Sequence, residues 1–180
     1  MTIQDTPFEG LKIINPRVFP DKRGYFYEAY NKKSFEELNI FTEFHQDNVS
    51  KSQKHVLRGL HFQHPPHAQA KLVSVISGAV LDVVVDLRKR SSTYGKYYSV
   101  NLDNQNKNML LVPEGFAHGF ITLEDNTIFS YKCSTIYCPD SDDTILWNDL
   151  TLGINWQIEN PIVSKKDISG KEFKSFKSPF

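Results

Sequence analysis

Residues 70–87 read AKLVSVISGAVLDVVVDL and decide the fold class. Two runs of mostly β-branched and apolar residues are separated by a Ser-Gly pair, which is the pattern of two strands joined by a turn. Because side chains alternate along a strand, Asp82 and Asp86 share a face with Val80 and Val84. Acidic residues on such a face either meet water or line a polar cavity, and the pattern favours neither.

The same pattern recurs along the rest of the chain. Further strand-like runs, bounded by Pro, Gly, Asn or Asp, cover residues 11–19, 24–30, 97–102, 108–112, 119–123 and 127–134. The helical signals are few: one short run from Ser34 to Leu38 has Ser34 as its N-cap, and no segment supports a β-α-β crossover. Many short strands in 180 residues predict one antiparallel all-β domain, a jelly roll or barrel with a few short helices.

Charge and composition exclude several classes of protein. Lys and Arg number 21, and Asp and Glu also number 21, so no net charge draws the chain to nucleic acid or to an anionic membrane. The N-terminus lacks the features of a signal peptide, and no apolar run is long enough to span a membrane. Cys133 and Cys138 show no disulfide pattern. We therefore expect a cytoplasmic protein that binds neither nucleic acid nor membrane.

Three segments are dense in ionisable and amide side chains. The first, residues 21–28, reads DKRGYFYE. It is either a solvated turn leading into a strand, with Gly24 supplying the turn conformation, or a phosphate grip by Arg23 beside Glu28. The residue types alone favour the turn.

The second segment surrounds His61. A lone histidine is more often a core residue than a functional one. The segments around His61, however, carry more polar side chains than the wall of an ordinary hydrophobic core: Gln46, Asn48, Arg58, Gln63 and Lys71. Buried polar groups cost free energy unless they are partnered, so this set suggests a polar ligand. Strand alternation places Arg58 with Leu60 and Phe62, on the face opposite His61.

The third segment, residues 113–120, reads PEGFAHGF and resembles the second motif of the cupin barrels, in which the histidine is often a metal ligand. The first cupin motif normally supplies two histidines and a glutamate, whereas this chain has His61 followed by Gln63. A stable transition-metal site needs about three protein ligands. His61 and His118 alone therefore give a metal site little support.

Other chemistry has no motif in this chain. There is no glycine-rich dinucleotide or phosphate loop, no serine-hydrolase elbow, and no cysteine in a nucleophile motif. Basic residues do not form the stripe that is typical of nucleic-acid binders.

Taken in order, the polar motifs resemble one family, the dTDP-4-dehydrorhamnose 3,5-epimerases. Each piece alone is weak, but the ordered set is specific and spans nearly the whole chain. The matching pieces are Asp21-x-Arg23-Gly24-x-Phe26-x-Glu28, Gln46-x-Asn48-x-Ser50, Arg58-Gly59-Leu60-His61-Phe62-Gln63, Gln69-x-Lys71, Asp82-x-x-x-Asp86-x-Arg88, Pro113-x-Gly115-x-Ala117-His118-Gly119-Phe120, Tyr131, Trp147-Asn148-Asp149 and Ser164-x-x-Asp167.

This resemblance implies a cupin-type jelly-roll β-barrel that works without metal or cofactor. It implies a homodimer of single-domain chains, 1–180, in which a segment of about residues 1–30 packs on the partner subunit and one of about residues 150–180 closes the site. The implied substrate is dTDP-4-dehydro-6-deoxy-D-glucose, a dTDP-linked 4-keto-6-deoxyhexose. Inversion at C3 and C5 gives dTDP-4-dehydro-L-rhamnose, in dTDP-L-rhamnose biosynthesis.

The resemblance also implies roles for individual residues. His61 corresponds to the catalytic base, Tyr131 to the acid, Asp167 to the group that orients and polarises His61, and Lys71 to the cation beside the 4-keto oxygen. These types suit the chemistry, because a proton α to a ketone needs a base poised near neutrality and a donor for the enolate oxygen. The positions implied in substrate binding are Arg23, Phe26, Glu28, Gln46, Asp47, Asn48, Arg58, Lys71, His118, Tyr137, Asp142 and Lys166.

One departure and three alternatives remain open. Asp143 stands where the family usually has Gly, which leaves the backbone shape of the loop from Asp140 to Thr144 undetermined. The same site could serve an epimerase that inverts only C3 or only C5 in another deoxysugar pathway. From other classes, the alternatives are a metal-dependent cupin enzyme using His61 and His118, and a non-catalytic module that binds nucleotide sugars.

Overall fold

The computed structural model describes all 180 residues and is built almost entirely from short strands. Two α-helices, α1 (Lys32–Glu37) and α2 (Lys165–Ile168), and two single-turn 3₁₀ helices complete it. Neither α-helix is long and apolar enough to cross a membrane. The strands are β1 (Thr2–Asp5), β2 (Lys12–Asn15), β3 (Val18–Asp21), β4 (Gly24–Tyr27), β5 (Gln46–Ser52), β6 (Val56–Gln63), β7 (Lys71–Ser77), β8 (Ala79–Asp86), β9 (Tyr97–Asp103), β10 (Met109–Val112), β11 (Phe116–Thr122), β12 (Thr127–Cys133), β13 (Asp142–Thr144) and β14 (Ile162–Val163).

Two sheets form the body of the protein. The first has the order β1-β2-β10-β7-β12-β5, and the second has the order β13-β6-β11-β8-β9, with β14 paired to β6. All pairings are antiparallel except β14 with β6. The predicted all-β, cupin-type jelly roll with a few short helices is therefore confirmed.

The main core lies between the two sheets. Val80 and Val84 of β8 pack there against residues of the first sheet, and Phe120 of β11 stacks on Phe129 of β12 with ring centroids 4.0 Å apart. Asp82 shares the face of Val80 and Val84 and is fully buried. The sequence left open whether this face meets water, and the structure shows that it points inward.

Two further apolar clusters cover the outer faces of the sheets. On the first sheet, Phe35 of α1 and Ile40 pack over Ile14 and Leu72. On the second, Trp156 and the phenylalanines of the C-terminal tail pack over a face that is made mostly by β6, β8 and β11. Since these strands are covered on both faces, several of them read as continuous apolar runs rather than as alternating ones, whereas β5 keeps one open face.

Most predicted strand boundaries differ from the structure by one to three residues, and two of the differences between prediction and structure have a clear physical cause. The run 11–19 is split into β2 and β3, because Pro16 lacks the N–H that a continuous ladder needs. The N-cap of α1 is Asn31 and not Ser34: the Asn31 side chain accepts a hydrogen bond from the backbone N–H of Ser34 at 3.3 Å, so the helix begins a turn earlier than predicted.

The β3–β4 hairpin is a separate two-stranded sheet. Its aromatic residues are unusually open for their size, with Tyr25 56% exposed and Phe26 64% exposed. The Tyr25 ring contacts this chain through Lys107, whose Nζ lies 3.8 Å from the ring centroid, and the rest of the hairpin leaves apolar surface exposed.

Candidate active site

Two adjoining cavities, of about 300 and 160 Å³, open between the sheets and share His61, Lys71 and Tyr131. His61 lies on β6 of the second sheet, whereas Lys71 on β7 and Tyr131 on β12 belong to the first. The shared residues therefore face one another from opposite walls. The larger cavity is completed by Gln46, Asn48, Phe62, Gln63, Gln69, Cys133, Tyr137, Asp142 and Lys166, and the smaller by Ser50, Arg58, His118 and Phe120.

A β-bulge in β6 determines which residues reach the smaller cavity. Between the pairs His118–His61 and Phe120–Arg58, β11 advances by two residues while β6 advances by three. The extra residue returns Arg58 to the face of His61, so the alternation predicted from the sequence was wrong at Arg58. Gly59 permits this, because it has a φ of +143° and a Cβ there would lie 2.5 Å from the Cα of Gly119.

The His61 ring is held by a buried carboxylate. Its Nε2 lies 2.5 Å from Oδ1 of Asp167, and the other Asp167 oxygen accepts a hydrogen bond from the Ser164 hydroxyl at 2.8 Å. Burial alone raises the pKa of Asp167, but hydrogen bonds from His61 and Ser164 outweigh it and hold that pKa below its usual value. Asp167 is therefore an anion that fixes the ring and leaves Nδ1 without a partner in the chain.

Lys71 and Tyr131 form the facing wall. Cys133 on β12 is paired with Lys71 on β7, so Tyr131, two residues before Cys133, points to the same side of the sheet. Lys71 is buried and has no hydrogen-bond partner in the chain, and burial lowers its pKa against the opposing pull of Cys133 and Asp142. Burial also raises the pKa of Tyr131, so its hydroxyl stays protonated at neutral pH.

His118 sits beside His61 on the neighbouring strand, but its ring is already engaged. Its Nε2 lies 2.9 Å from Oδ2 of Asp82, and its ring stacks near Phe129. Burial raises the pKa of Asp82, and the charge and hydrogen bond of His118 oppose the shift. No group of three or more His, Cys, Asp or Glu side chains with metal-binding geometry is present.

The rim of the larger cavity is a polar network. Asp142 accepts hydrogen bonds from Lys166 and, at 3.1 Å, from the hydroxyl of Tyr137. The backbone N–H of Tyr137 donates to the Gln46 side chain at 2.7 Å, and that side chain donates to Asn48 at 3.0 Å. These predicted binding residues therefore come from four separate segments and meet at one mouth.

Four predicted binding residues lie outside the cavities. Arg23, Phe26 and Glu28 are exposed on or just after the β3–β4 hairpin, where Arg23 pairs with Asp21 at 2.6 Å. Asp47 alternates with the cavity-facing Gln46 and Asn48 on β5, and it pairs with Lys132 at 2.9 Å on the outside.

The prediction also missed residues that line the larger cavity. Cys133 lies two positions after Tyr131, so strand alternation could have found it, whereas Gln63 was in the polar set around His61 but not among the predicted binding residues. Both glutamines bind the segment that carries Tyr137: Gln69 donates to the backbone oxygen of Thr135 at 2.6 Å, and Oε1 of Gln63 accepts the backbone N–H of Cys138 at 2.7 Å.

The largest concavity in the protein, about 730 Å³, lies elsewhere, between the segment 39–45 and the ends of β2 and β10. It is an open surface groove with scattered charges, and it has no set of groups that could act together on a substrate. Volume therefore does not identify the active site here, whereas the convergence of ionisable groups does.

Comparisons with known proteins identify the family of this chain. A family model described as dTDP-4-dehydrorhamnose 3,5-epimerase matches residues 5–175. The dTDP-4-dehydrorhamnose 3,5-epimerase of Shigella flexneri is 48% identical over 174 residues, which cover 96% of this chain and 96% of that one.

Solved structures are similar over the whole fold. The dTDP-4-dehydrorhamnose 3,5-epimerase of Bacillus anthracis, with TDP and PPi bound, has a TM-score of 0.94 at 46% identity and covers 96% of this chain and 99% of that chain. The dTDP-6-deoxy-D-glucose-3,5-epimerase of Legionella pneumophila, in complex with dTDP-4-keto-L-rhamnose, has a TM-score of 0.93 at 43% identity, covering 98% and 94%. The chain belongs to the dTDP-4-dehydrorhamnose 3,5-epimerase family of isomerases.

Proposed function

We propose that this protein converts dTDP-4-dehydro-6-deoxy-D-glucose to dTDP-4-dehydro-L-rhamnose by inverting C3 and C5, without metal or cofactor. The observation that carries the proposal is the cavity in which the His61–Asp167 pair faces Lys71 and Tyr131. Family membership and the dTDP-4-keto-L-rhamnose bound to the Legionella pneumophila relative support the choice of sugar nucleotide.

The first step is removal of a proton from the carbon next to the ketone. His61 takes it on Nδ1, because Nε2 is bound to Asp167. The Asp167 carboxylate stabilises the imidazolium that forms, in the way that a carboxylate partner orients a catalytic histidine. A positioned general base contributes about 10²–10⁴-fold to the rate.

Lys71 stabilises the charge that this step creates. As the proton leaves, negative charge moves to the C4 oxygen. The Lys71 ammonium is buried and has no other partner, so it can donate to this oxygen without first breaking another hydrogen bond. Since the carbonyl activates both of its neighbouring carbons, one arrangement serves C3 and C5 in turn.

Tyr131 returns a proton to the opposite face of the sugar. It projects from the first sheet, whereas His61 projects from the second, so the two groups approach a sugar in the cavity from opposite sides. Its raised pKa keeps the hydroxyl protonated and therefore able to donate. Inversion follows because removal and return occur on different faces.

The nucleotide part is bound at the rim. Arg58 and Lys166 supply cations suited to a diphosphate, and both line the cavities near the base. The amides and hydroxyl of the mouth provide the neutral contacts, from Gln46, Asn48 and Tyr137, while His118 and Asp142 brace the walls.

The β3–β4 hairpin supports a homodimer. Because β1 and β2 pair within this chain, we propose that the hairpin is the part of the predicted segment 1–30 that packs on a second copy, so that Arg23, Phe26 and Glu28, which stand away from this chain's cavities, reach the partner's site. The exposed aromatics of the hairpin and the open edge of β5, with Val49 70% exposed, offer apolar surface for this contact. Analytical ultracentrifugation of the wild-type protein should show a dimer, and Phe26→Asp should weaken its association. A monomeric wild-type protein would contradict the proposed homodimer.

We extend the proposal to the compartment and to the segment 150–180. Both cysteines are free, which supports a reducing compartment such as the cytoplasm. For the segment 150–180, α2 brings Lys166 to the cavity and Asp167 to His61. This supports a role of the C-terminal segment in completing the site.

A product assay in deuterated water tests the function. Wild-type protein, incubated with dTDP-4-dehydro-6-deoxy-D-glucose, should give the L-lyxo product with deuterium at C3 and C5, and a chelator should leave the rate unchanged. Deuterium at one carbon alone would support a single epimerase. Loss of activity on chelation would support a metal-dependent cupin using His61 and His118, and binding without exchange would support a non-catalytic module.

A further inference from the structure

The edge strand β13 carries two adjacent carboxylates that point to opposite faces of the sheet. Asp142 lies opposite Gln63 and lines the cavity, whereas Asp143 lies opposite Phe62 and points to the outer face. Each binds a lysine from one short segment of the tail: Asp142 binds Lys166, and Asp143 binds Lys171. The segment between these lysines therefore wraps around the edge of the sheet and is fastened on both sides.

The outer fastening is the Asp143 clip, made of Asp143, His64 and Lys171. Oδ2 of Asp143 lies 2.7 Å from Nε2 of His64 and 2.5 Å from Nζ of Lys171, and Oδ1 accepts the backbone N–H of Thr144 at 2.8 Å. Burial raises the pKa of Asp143, but the bonds from Lys171 and His64 outweigh it and hold this pKa below its usual value. The clip is therefore an ion pair at neutral pH.

The clip fixes the backbone that leads to Asp167. The N–H of Lys171 donates to the carbonyl of Thr144 at 2.9 Å, and Thr144 is the cross-strand partner of His61. Gly170 packs so tightly that a Cβ there would lie 2.7 Å from the backbone nitrogen of Leu146. The anchor of the tail is thus adjacent to the residue that Asp167 must reach.

The helix that carries Asp167 takes its position from the segments on either side, β14 paired with β6 before it and the clip after it. It has a single turn, too short to be stable alone, and Ile168 on it is 60% exposed. Its inner fastening, Asp142 with Lys166, lines the cavity, so both groups are open to a ligand there. The Asp143 clip lies on the other face, and none of its three residues lines either cavity.

We propose that the Asp143 clip holds Asp167 at the distance from which it orients His61, so that Asp143 and Lys171 are positioning residues for the reaction. The inference rests on the proposed role of His61 as the base. A purely structural ion pair would affect unfolding alone, whereas a positioning clip lowers kcat while substrate binding is unchanged.

Three variants test the clip: Asp143→Asn, Lys171→Met and the double variant. Each single change should lower kcat by roughly tenfold, below the approximately hundredfold that a misplacement of about 1 Å can cost, with KM nearly unchanged. Because both act through one contact, the double variant should lose no more than the worse single one. The control is Glu43→Gln, which breaks an exposed ion pair that lies away from the site, with 2.8 Å between Glu43 and Lys32. This variant should keep wild-type kcat.

A second measurement does not depend on turnover. In proton NMR, the downfield imidazole N–H resonance, assigned by its loss in His61→Asn, should exchange faster with water in Asp143→Asn and Lys171→Met than in wild type. If folded Asp143→Asn and Lys171→Met variants of an active enzyme kept both the wild-type kcat and the wild-type rate of imidazole N–H exchange, the proposed positioning role of the clip would be wrong. A wild-type protein that performs no epimerisation would instead overturn the function, and the resonance alone would then decide whether the clip positions Asp167.

Discussion

Replacing Asp167 with Asn is expected to slow catalysis while leaving the fold intact. Asn has nearly the shape of Asp, so the contacts with Ser164 can persist, but the charge that holds His61 is lost. Hydrogen bonds to charged groups contribute about 1.5–3 kcal/mol. Since about 1.36 kcal/mol corresponds to a factor of ten in rate, kcat should fall by roughly 10- to 150-fold.

The assay is the rate of deuterium incorporation at C3 and C5 of the substrate, followed by NMR under saturating conditions. Asp86→Asn is the matched control, because Asp86 is equally buried but binds Arg88, Ser91 and Thr93 and lines neither cavity. The control should unfold at lower denaturant concentration and keep its kcat. Wild-type exchange in Asp167→Asn would refute the idea that this carboxylate supports the base.

Three further predictions concern the acid, the bulge and pH. With Tyr131→Phe, the substrate should still take up deuterium from the solvent, but its configuration should be retained. The reason is that His61, the base, returns the deuteron to the face from which it removed the proton. Formation of inverted product by this variant would contradict the role of Tyr131. Gly59→Ala should lower the free energy of unfolding by more than the roughly 1–3 kcal/mol of backbone strain alone, since its Cβ also meets Gly119, and denaturant titration measures it. Burial raises the pKa of Asp86, but hydrogen bonds from Arg88 and from two hydroxyls outweigh it, so this pKa is lower in the folded than in the unfolded protein. The stabilisation that Asp86 contributes is therefore complete above the unfolded pKa of about 3.9 and is lost as the pH falls through the lower folded pKa. Wild type should therefore lose more unfolding free energy below about pH 4 than Asp86→Asn, and equal losses would contradict that sign.

Much of the fold was predictable because strand alternation is a local property. The two runs in 70–87 became β7 and β8, with their boundaries shifted by one residue. The orientation of Asp82 was not predictable, because it depends on β12 and β7 of the facing sheet, which bury that side of β8. Polar strands such as β5, which reads QDNVSKS, carry almost no apolar signal and were not predicted.

The candidate site was predictable only in pieces. The polar residues around His61 indicated a ligand, and the family motif indicated Asp167, which lies 106 residues further along the chain. Their meeting depends on a tail that wraps around the edge strand, and no local pattern encodes that path. Arg58 was placed on the wrong face because a bulge of one residue reverses alternation, and Gly59 in isolation gives no sign of whether it forms a turn or a bulge.

The role of His61 is the central claim of this account, and deuterium exchange by His61→Asn tests it most directly. The variant, folded and incubated with dTDP-4-dehydro-6-deoxy-D-glucose in deuterated water, should incorporate no label at C3 or C5 above the uncatalysed rate, because both proton removals use the same ring. Incorporation at the wild-type rate at either carbon would contradict the claim that His61 is the base.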